Sequence, residues 1–153
     1  MSNTGLDVFD KTLQTTNGWL NEIMEEVGPD RHVAWRVLTA VLHKLRDRLT
    51  VDLAAHLGAQ LPMLVRGAYY DQYEPSRQPE RWSSVDEFLA EVNQAMSGTR
   101  PIDPQLAIIA VFGVLSRHLP KGQIVKVREA LPKAVRSVWE ELDARREAAT
   151  AEA

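Results

Sequence analysis

The sequence predicts an all-α protein built of two tandem, sequence-related four-helix units. Three observations carry this. Apolar residues recur at helical spacing through every long segment. No segment shows the apolar–polar alternation, bounded by turn residues, that marks a strand. The pattern from Ala40 to Arg66 also returns at an offset of 70, as Ala40/Ala110, Val41/Val111, Leu45/Leu115, Leu49/Leu119, Leu61/Leu131, Pro62/Pro132, Val65/Val135 and Arg66/Arg136. Equal residues at equal places predict two units packed around a pseudo-twofold axis into one compact helical domain. The boundaries are residues 1–70 for the first unit, 71–83 for a connector, 84–142 for the second unit, and 143–153 for a C-terminal tail expected to fray.

The first helix is expected from Leu6 to Val27, with Phe9, Leu13, Leu20, Ile23, Met24 and Val27 on one side. Asn17-Gly18, two poor helix formers, is the expected place for a break. Gly28-Pro29 ends the helix, glycine suiting a left-handed stop and proline the residues just beyond it. Asp30 caps a second helix reaching about Leu49. Its core face carries Trp35, Leu38, Val41, Leu42, Leu45 and Leu49, while Arg36, Lys44, Arg46, Asp47 and Arg48 fall largely outside that face. Thr50 is a capping residue type, so Val51 to Gln60 reads as a third, short helix with Leu53 and Leu57 inward. Pro62 opens a fourth helix that ends near Tyr70, since proline is tolerated at a first helical position.

The connector, Asp71 to Ser83, is polar, holds Pro75 and Pro79, and has no helical period. Ser84-Val-Asp-Glu87 then has the capping-box form, and Phe88, Leu89, Val92 and Met96 come after it at helical spacing. Here the offset is 69 (Trp19/Phe88, Leu20/Leu89, Ile23/Val92, Val27/Met96), which puts one extra residue in the next turn. Asp103-Pro104 caps a strongly apolar helix to Leu119. Pro120-Lys-Gly122 leads into Ile124 to Leu131, and Pro132 starts the last helix through Val135, Val138, Trp139 and Leu142. Beyond Asp143 there is no large apolar side chain.

A chain of 153 residues is long enough for one domain that buries well over half of its unfolded surface. The absence of cysteine excludes a disulfide framework, a cysteine zinc site and a thiol nucleophile, and it points to a cytoplasmic location. The first residues lack both a basic start and an apolar run, and no stretch approaches the ~20 apolar residues of a membrane span, so no membrane partner is expected. Net charge is -3, from 18 basic and 21 acidic residues without a basic block, which disfavours nucleic acid as a partner.

Motifs that carry chemistry are few. Leu53 to Leu64 has the alanine–glycine spacing of a DNA-binding helix-turn-helix, but Pro62 to Tyr70 is too apolar to read phosphates or base edges. His32, His43, His56 and His118 form no metal-binding spacing, and no Gly-rich phosphate loop or nucleophile elbow is present. No catalytic residue, metal ligand or cofactor is therefore nominated. Arg66 and Arg136, kept at matching places beside apolar neighbours, are candidate ligand-proximal residues. The favoured alternative is that each guanidinium ties a helix end to a carboxylate or to carbonyls. Tyr69, Tyr70, Tyr73 and Trp82 form an aromatic cluster around the connector, which either covers the gap between units or meets a partner.

The run Val8 to Thr16, the segment Ala40 to Leu49 and the contiguous string Ala54-Ala-His-Leu-Gly-Ala-Gln-Leu-Pro-Met-Leu-Val-Arg-Gly-Ala-Tyr-Tyr70 resemble the bacterial DUF2267 family, across roughly Leu6 to Leu142. The resemblance implies an all-helical protein of unknown function and carries over no catalytic residues. Two functions are expected in competition. One is a non-enzymatic protein-interaction or self-association module. The other is a small-molecule or metal-binding protein, or an enzyme, with a cleft between the units near Arg66 and Arg136. A polar concavity holding those arginines would favour the second, and an exposed apolar patch the first.

Overall fold

The structure is a computed structural model that describes residues 2–152. The described residues hold eight α-helices: α1 (Asp7–Val27), α2 (Arg31–Arg48), α3 (Val51–Ala59), α4 (Met63–Tyr70), α5 (Val85–Ala95), α6 (Pro104–His118), α7 (Lys121–Ala130) and α8 (Lys133–Glu152). A single 3-10 turn, Pro75–Arg77, lies in the connector, and no strand occurs among the described residues. The protein is all-α.

Helix ends reflect the local chemistry of the sequence. Asp30 accepts from the amides of His32 and Val33 at 2.9 and 3.2 Å, Thr50 from Leu53 at 3.3 Å, Ser84 from Glu87 at 3.1 Å and Asp103 from Gln105 at 2.9 Å. Each side chain satisfies amides that the first helical turn cannot. Gly28 stops α1 with φ of 112°, where other residues are strained, and a Cβ there would also sit 2.8 Å from Arg100 Nη2. Arg100 fills that space to donate to the Val27 carbonyl at 3.1 Å.

α1 is continuous through Asn17-Gly18, against the expected break. Gly18 faces solvent with nothing close to it, so its cost is only its helix propensity, about 1 kcal/mol. The Arg31 guanidinium also reaches the side chains of Asn17 and Asn21, bracing this turn from outside.

The core is centred on α1, α2 and α6, each packed on the other two, with α4 and α5 against α2, α8 against α6, and α3 against α7. Leu45, Leu49, Leu61 and Val65 are buried, and so are Leu115, Leu119, Leu131 and Val135 at the paired places. Trp82, Phe88, Phe112 and Trp139 stack in sequence at centroid distances of 4.5, 6.1 and 4.1 Å, joining the connector to α5, α6 and α8.

Three expectations are corrected by the packing. Phe9 and Leu13 share the apolar side of α1 but are exposed, because burial on α1 begins only at Thr16. Arg46 is inside, at 3 % exposure, although the helical pattern placed it largely outside. Its Nη1 donates to the carbonyls of Tyr69 (2.5 Å) and Asp71 (3.0 Å), its Nε to Asp47 (2.9 Å), and its guanidinium lies 4.9 Å from the Tyr73 ring. Finally, α8 does not fray at Asp143 but continues to Glu152. Asp143 is buried and anchored, its carboxylate accepting from Ser116 (3.0 Å), from Arg146 (3.2 Å) and from Arg128. Polar anchors hold that turn where apolar ones are missing.

Truncating Leu45 or Leu115 to alanine is expected to lower unfolding free energy by about 2 to 5 kcal/mol in denaturant melts, as for other fully buried leucines. A second expectation concerns Gly58, whose added Cβ would lie 2.8 Å from Tyr70 Cζ and nearer still to its hydroxyl. Gly58→Ala should destabilise, and Tyr70→Phe in the same chain should recover part of the loss; a double-mutant cycle measures that coupling.

Candidate functional site

Arg66 and Arg136 have different surroundings despite their matching places. Arg66 is the fastening of the α3–α4 turn: its Nε donates to the Gly58 carbonyl at 3.0 Å, and its Nη2 to those of Ala59 (3.2 Å) and Leu61 (2.9 Å). The Gly58 and Ala59 carbonyls end α3 and that of Leu61 follows in the turn, where a cation is favourable. Arg136 is half-buried, and its side chain makes no hydrogen bond or ion pair among the described residues. At the offset of 70 from Gly58 stands Arg128, which is committed to Asp143. The matching of the two arginines is thus one of sequence and not of contacts.

The aromatic residues divide the same way. Tyr69 is fully buried, its hydroxyl donating to the Ala54 carbonyl at 2.7 Å, and burial pushes that hydroxyl's pKa up. Trp82 is buried under the Arg48 guanidinium, 5.6 Å from the ring. Tyr70 is half-buried against Gly58, and Tyr73 is half-buried, covering Arg46 and donating to Gln78. The cluster closes the fold around the connector and offers little free surface.

Arg66 does line a cleft of about 510 Å³, between the first half of α1, the α3–α4 turn and the end of α6. Arg136 is not among its lining residues. Val8, Leu61 and Met63 supply apolar walls; Lys11, Arg66 and His118 supply the charged or ionisable groups. The His118 ring stacks on Trp19 at 5.4 Å between centroids. Its Nε2 meets one oxygen of Glu22, whose other oxygen accepts from Arg117 at 2.5 Å. Burial raises the Glu22 pKa, but the hydrogen bonds from His118 and Arg117 outweigh it and leave the carboxyl below its usual range.

Beside this cleft lies the larger part of the exposed apolar surface. Leu6, Val8, Phe9 and Leu13 of the α1 region are 40–52 % exposed, and Met63 and Leu64 of α4 are 51 and 42 % exposed. The two elements are tied, the Leu64 amide donating to Thr12 Oγ1 at 3.3 Å. Sequence periodicity could not single out this face, because it gave Phe9 and Leu13 the same side as the core of α1.

A second concavity, about 960 Å³, runs along α2 and α4. Its polar groups are matched within the fold. His43 Nε2 sits 2.7 Å from the Ala68 carbonyl, and a carbonyl only accepts, so this nitrogen carries the hydrogen. Lys44 is 3.3 Å from Glu91 and 3.8 Å from Glu80. Among the described residues, no three His, Asp or Glu side chains converge in a metal-binding group.

Eight helices packed around one core, with an exposed apolar face beside a cleft lined by Lys11, Arg66 and His118, define an all-helical protein. The chain belongs to DUF2267, a family of uncharacterized conserved proteins, whose profile matches residues 16–138. The match starts at the first buried residue of α1, so most of the Val8 to Thr16 run that shares in the resemblance lies outside it. No curated protein matches the chain.

Two outcomes test the site's chemistry. Arg66→Met should cost about 1 to 2 kcal/mol, as charged hydrogen bonds to carbonyls do, whereas Arg136→Met should leave the denaturant midpoint within error. His43 is the pH-sensitive group. Burial holds its pKa below the ordinary 6.5, against the opposing pull of the Ala68 carbonyl, so the unfolded chain binds its proton first as pH falls. Its stabilising contribution is whole above about pH 6.5 and is lost as pH drops through the lower folded value. His43→Gln should flatten that part of the stability–pH profile in urea melts between about pH 5 and 8.

Proposed function

We propose that this protein is a non-enzymatic, cytoplasmic interaction module that binds another protein, or itself, on the apolar face made by the first half of α1 and the start of α4. The observation that supports it is the exposure of six large apolar side chains, Leu6, Val8, Phe9, Leu13, Met63 and Leu64, on two elements that touch. Exposed apolar side chains gathered on neighbouring elements favour an interaction site, whereas isolated ones carry no such meaning. Nucleic acid is disfavoured by the acidic net charge. Among the described residues no helix is long and apolar enough to cross a membrane. Equal burial at the paired positions further supports two units of common origin related by an approximate twofold.

A second function is favoured by one observation, the presence of Arg66 and His118 in a single cleft of ligand size. A small molecule seated there would raise the melting temperature of the isolated protein, and an interaction module would not need one.

The test uses exposed positions whose replacement leaves the core intact. Phe9→Ser combined with Leu64→Ser should leave the melt within about 0.5 kcal/mol of the parent. The parent chain should either capture a defined protein from host lysate or sediment as a concentration-dependent oligomer, and the double variant should lose that association. Association that survives both substitutions would remove this face from consideration.

A further inference from the structure

We infer that the partner of the α1–α4 face carries carboxylates: it is an amphipathic protein segment whose apolar stripe rests on Val8, Met63 and Leu64 while acidic side chains enter the adjoining cleft. The inference rests on the docking face proposed above and adds the partner's chemistry.

Charge is what commits it. The chain as a whole is acidic, at net -3, yet no Asp or Glu lines the cleft between α1, the α3–α4 turn and the end of α6. Lys11 and Arg66 line it as fixed cations, with His118 beside them. Glu22, behind His118, is paired with Arg117 through the Nε contact at 2.5 Å. Lys11 and Arg66 therefore leave the cleft two positive charges.

The donors there also remain available. Lys11 is exposed and makes no ion pair among the described residues, and Arg66 uses Nε and Nη2 on carbonyls while Nη1 has no partner among them. Trp19, only 2 % exposed at the cleft's base, has an indole N–H without an acceptor in the structure. Thr12 and Thr15 add hydroxyls on the same wall. The acidic residues of the neighbouring turn are not part of the cleft lining. Asp7 and Asp10 border a second groove that Lys11 also lines, and Asp10 already accepts from Ser2 and from the amide and hydroxyl of Thr4.

The apolar rim sets the form of the ligand. Val8 and Met63 belong to the cleft and to the exposed face at once, so a ligand that fills the one runs onto the other. A helix presenting apolar residues at i, i+3, i+4 and i+7 with acidic residues on its flank matches both parts. Electrostatic complementarity of this kind selects partners and speeds their encounter, and it weakens as salt rises.

The experiment uses the full chain and two synthetic helical peptides of about 15 residues, identical in leucine stripe and differing only in Glu or Lys at the flanking positions. Binding is read by fluorescence anisotropy at low and at moderate salt. The Glu peptide is expected to bind at least tenfold more tightly than the Lys peptide and to lose affinity as salt rises. Lys11→Glu, a surface change with an unaltered melt, should narrow or reverse that preference. Equal binding of both peptides, or a preference indifferent to Lys11→Glu, would overturn the inference. If that equal binding is also lost in the Phe9→Ser, Leu64→Ser chain, the docking face stands and only the acidic partner falls. No binding of either peptide also overturns the acidic partner, and the capture and sedimentation experiment then decides the face independently.

Discussion

The fold depends on the mutual packing of α1, α2 and α6, the three helices that each touch the other two. Their contact surfaces hold the fully buried Ile23, Leu38, Leu42, Leu45, Val111 and Leu115, and burying each such side chain contributes roughly 1.5 to 3 kcal/mol before conformational entropy is set against it. The remaining helices need this centre. α3 and α4 are nine and eight residues long, too short to hold helical form alone in water, and they are held by Leu57, Leu61, Val65 and Tyr69 against what the long helices present.

Around that shared apolar centre, positions 70 residues apart make different polar connections. At the offset of 70, Arg46 corresponds to Ser116, Tyr69 to Trp139 and Tyr73 to Asp143. In the first unit the buried cation Arg46 reaches backbone carbonyls and the Tyr73 ring. In the second, the buried anion Asp143 accepts from Ser116, which in turn accepts from Trp139 Nε1 at 2.7 Å. A group taken out of water must find partners, and the buried cation and the buried anion find theirs at matching places in the sequence. Tyr73 lies in the connector after α4, and Asp143 lies in α8, which continues past the core to Glu152.

What is legible in the sequence is the local chemistry: caps at Asp30, Thr50, Ser84 and Asp103, the stop at Gly28, and the helical class. Those depend on neighbours within a few residues. Arg46 is misplaced by the helical pattern because its identity outweighs its position, four and eight residues after Leu42 and Leu38, which are buried. That spacing is a signal from which its burial could be read. Asp143 carries no comparable signal, since its partners Ser116 and Arg128 come from two other helices and meet it only in three dimensions. The cleft is half-legible. Arg66 stands out by residue type and position, but Lys11, Trp19 and His118 lie far from it in sequence, and Arg136 matches it in residue type at the offset of 70 without matching its contacts.

The apolar seam of α1 shows most directly what periodicity can and cannot report. Leu6, Phe9, Leu13, Thr16, Leu20, Ile23 and Val27 succeed one another at spacings of three and four, so they lie along one side of the helix. Spacing of that kind specifies a face. It does not say where the neighbours that cover the face end. Thr16 to Val27 are covered by α2 and α6, while Leu6 to Leu13 extend past them, and nothing in the residue pattern changes at that boundary. A helix whose own core no longer needs its apolar side keeps that side in water at a free-energy cost, unless another surface covers it. The same physical term that assembles the core thus reappears, unsatisfied, at one end of the molecule, next to a cleft whose charge opposes that of the chain.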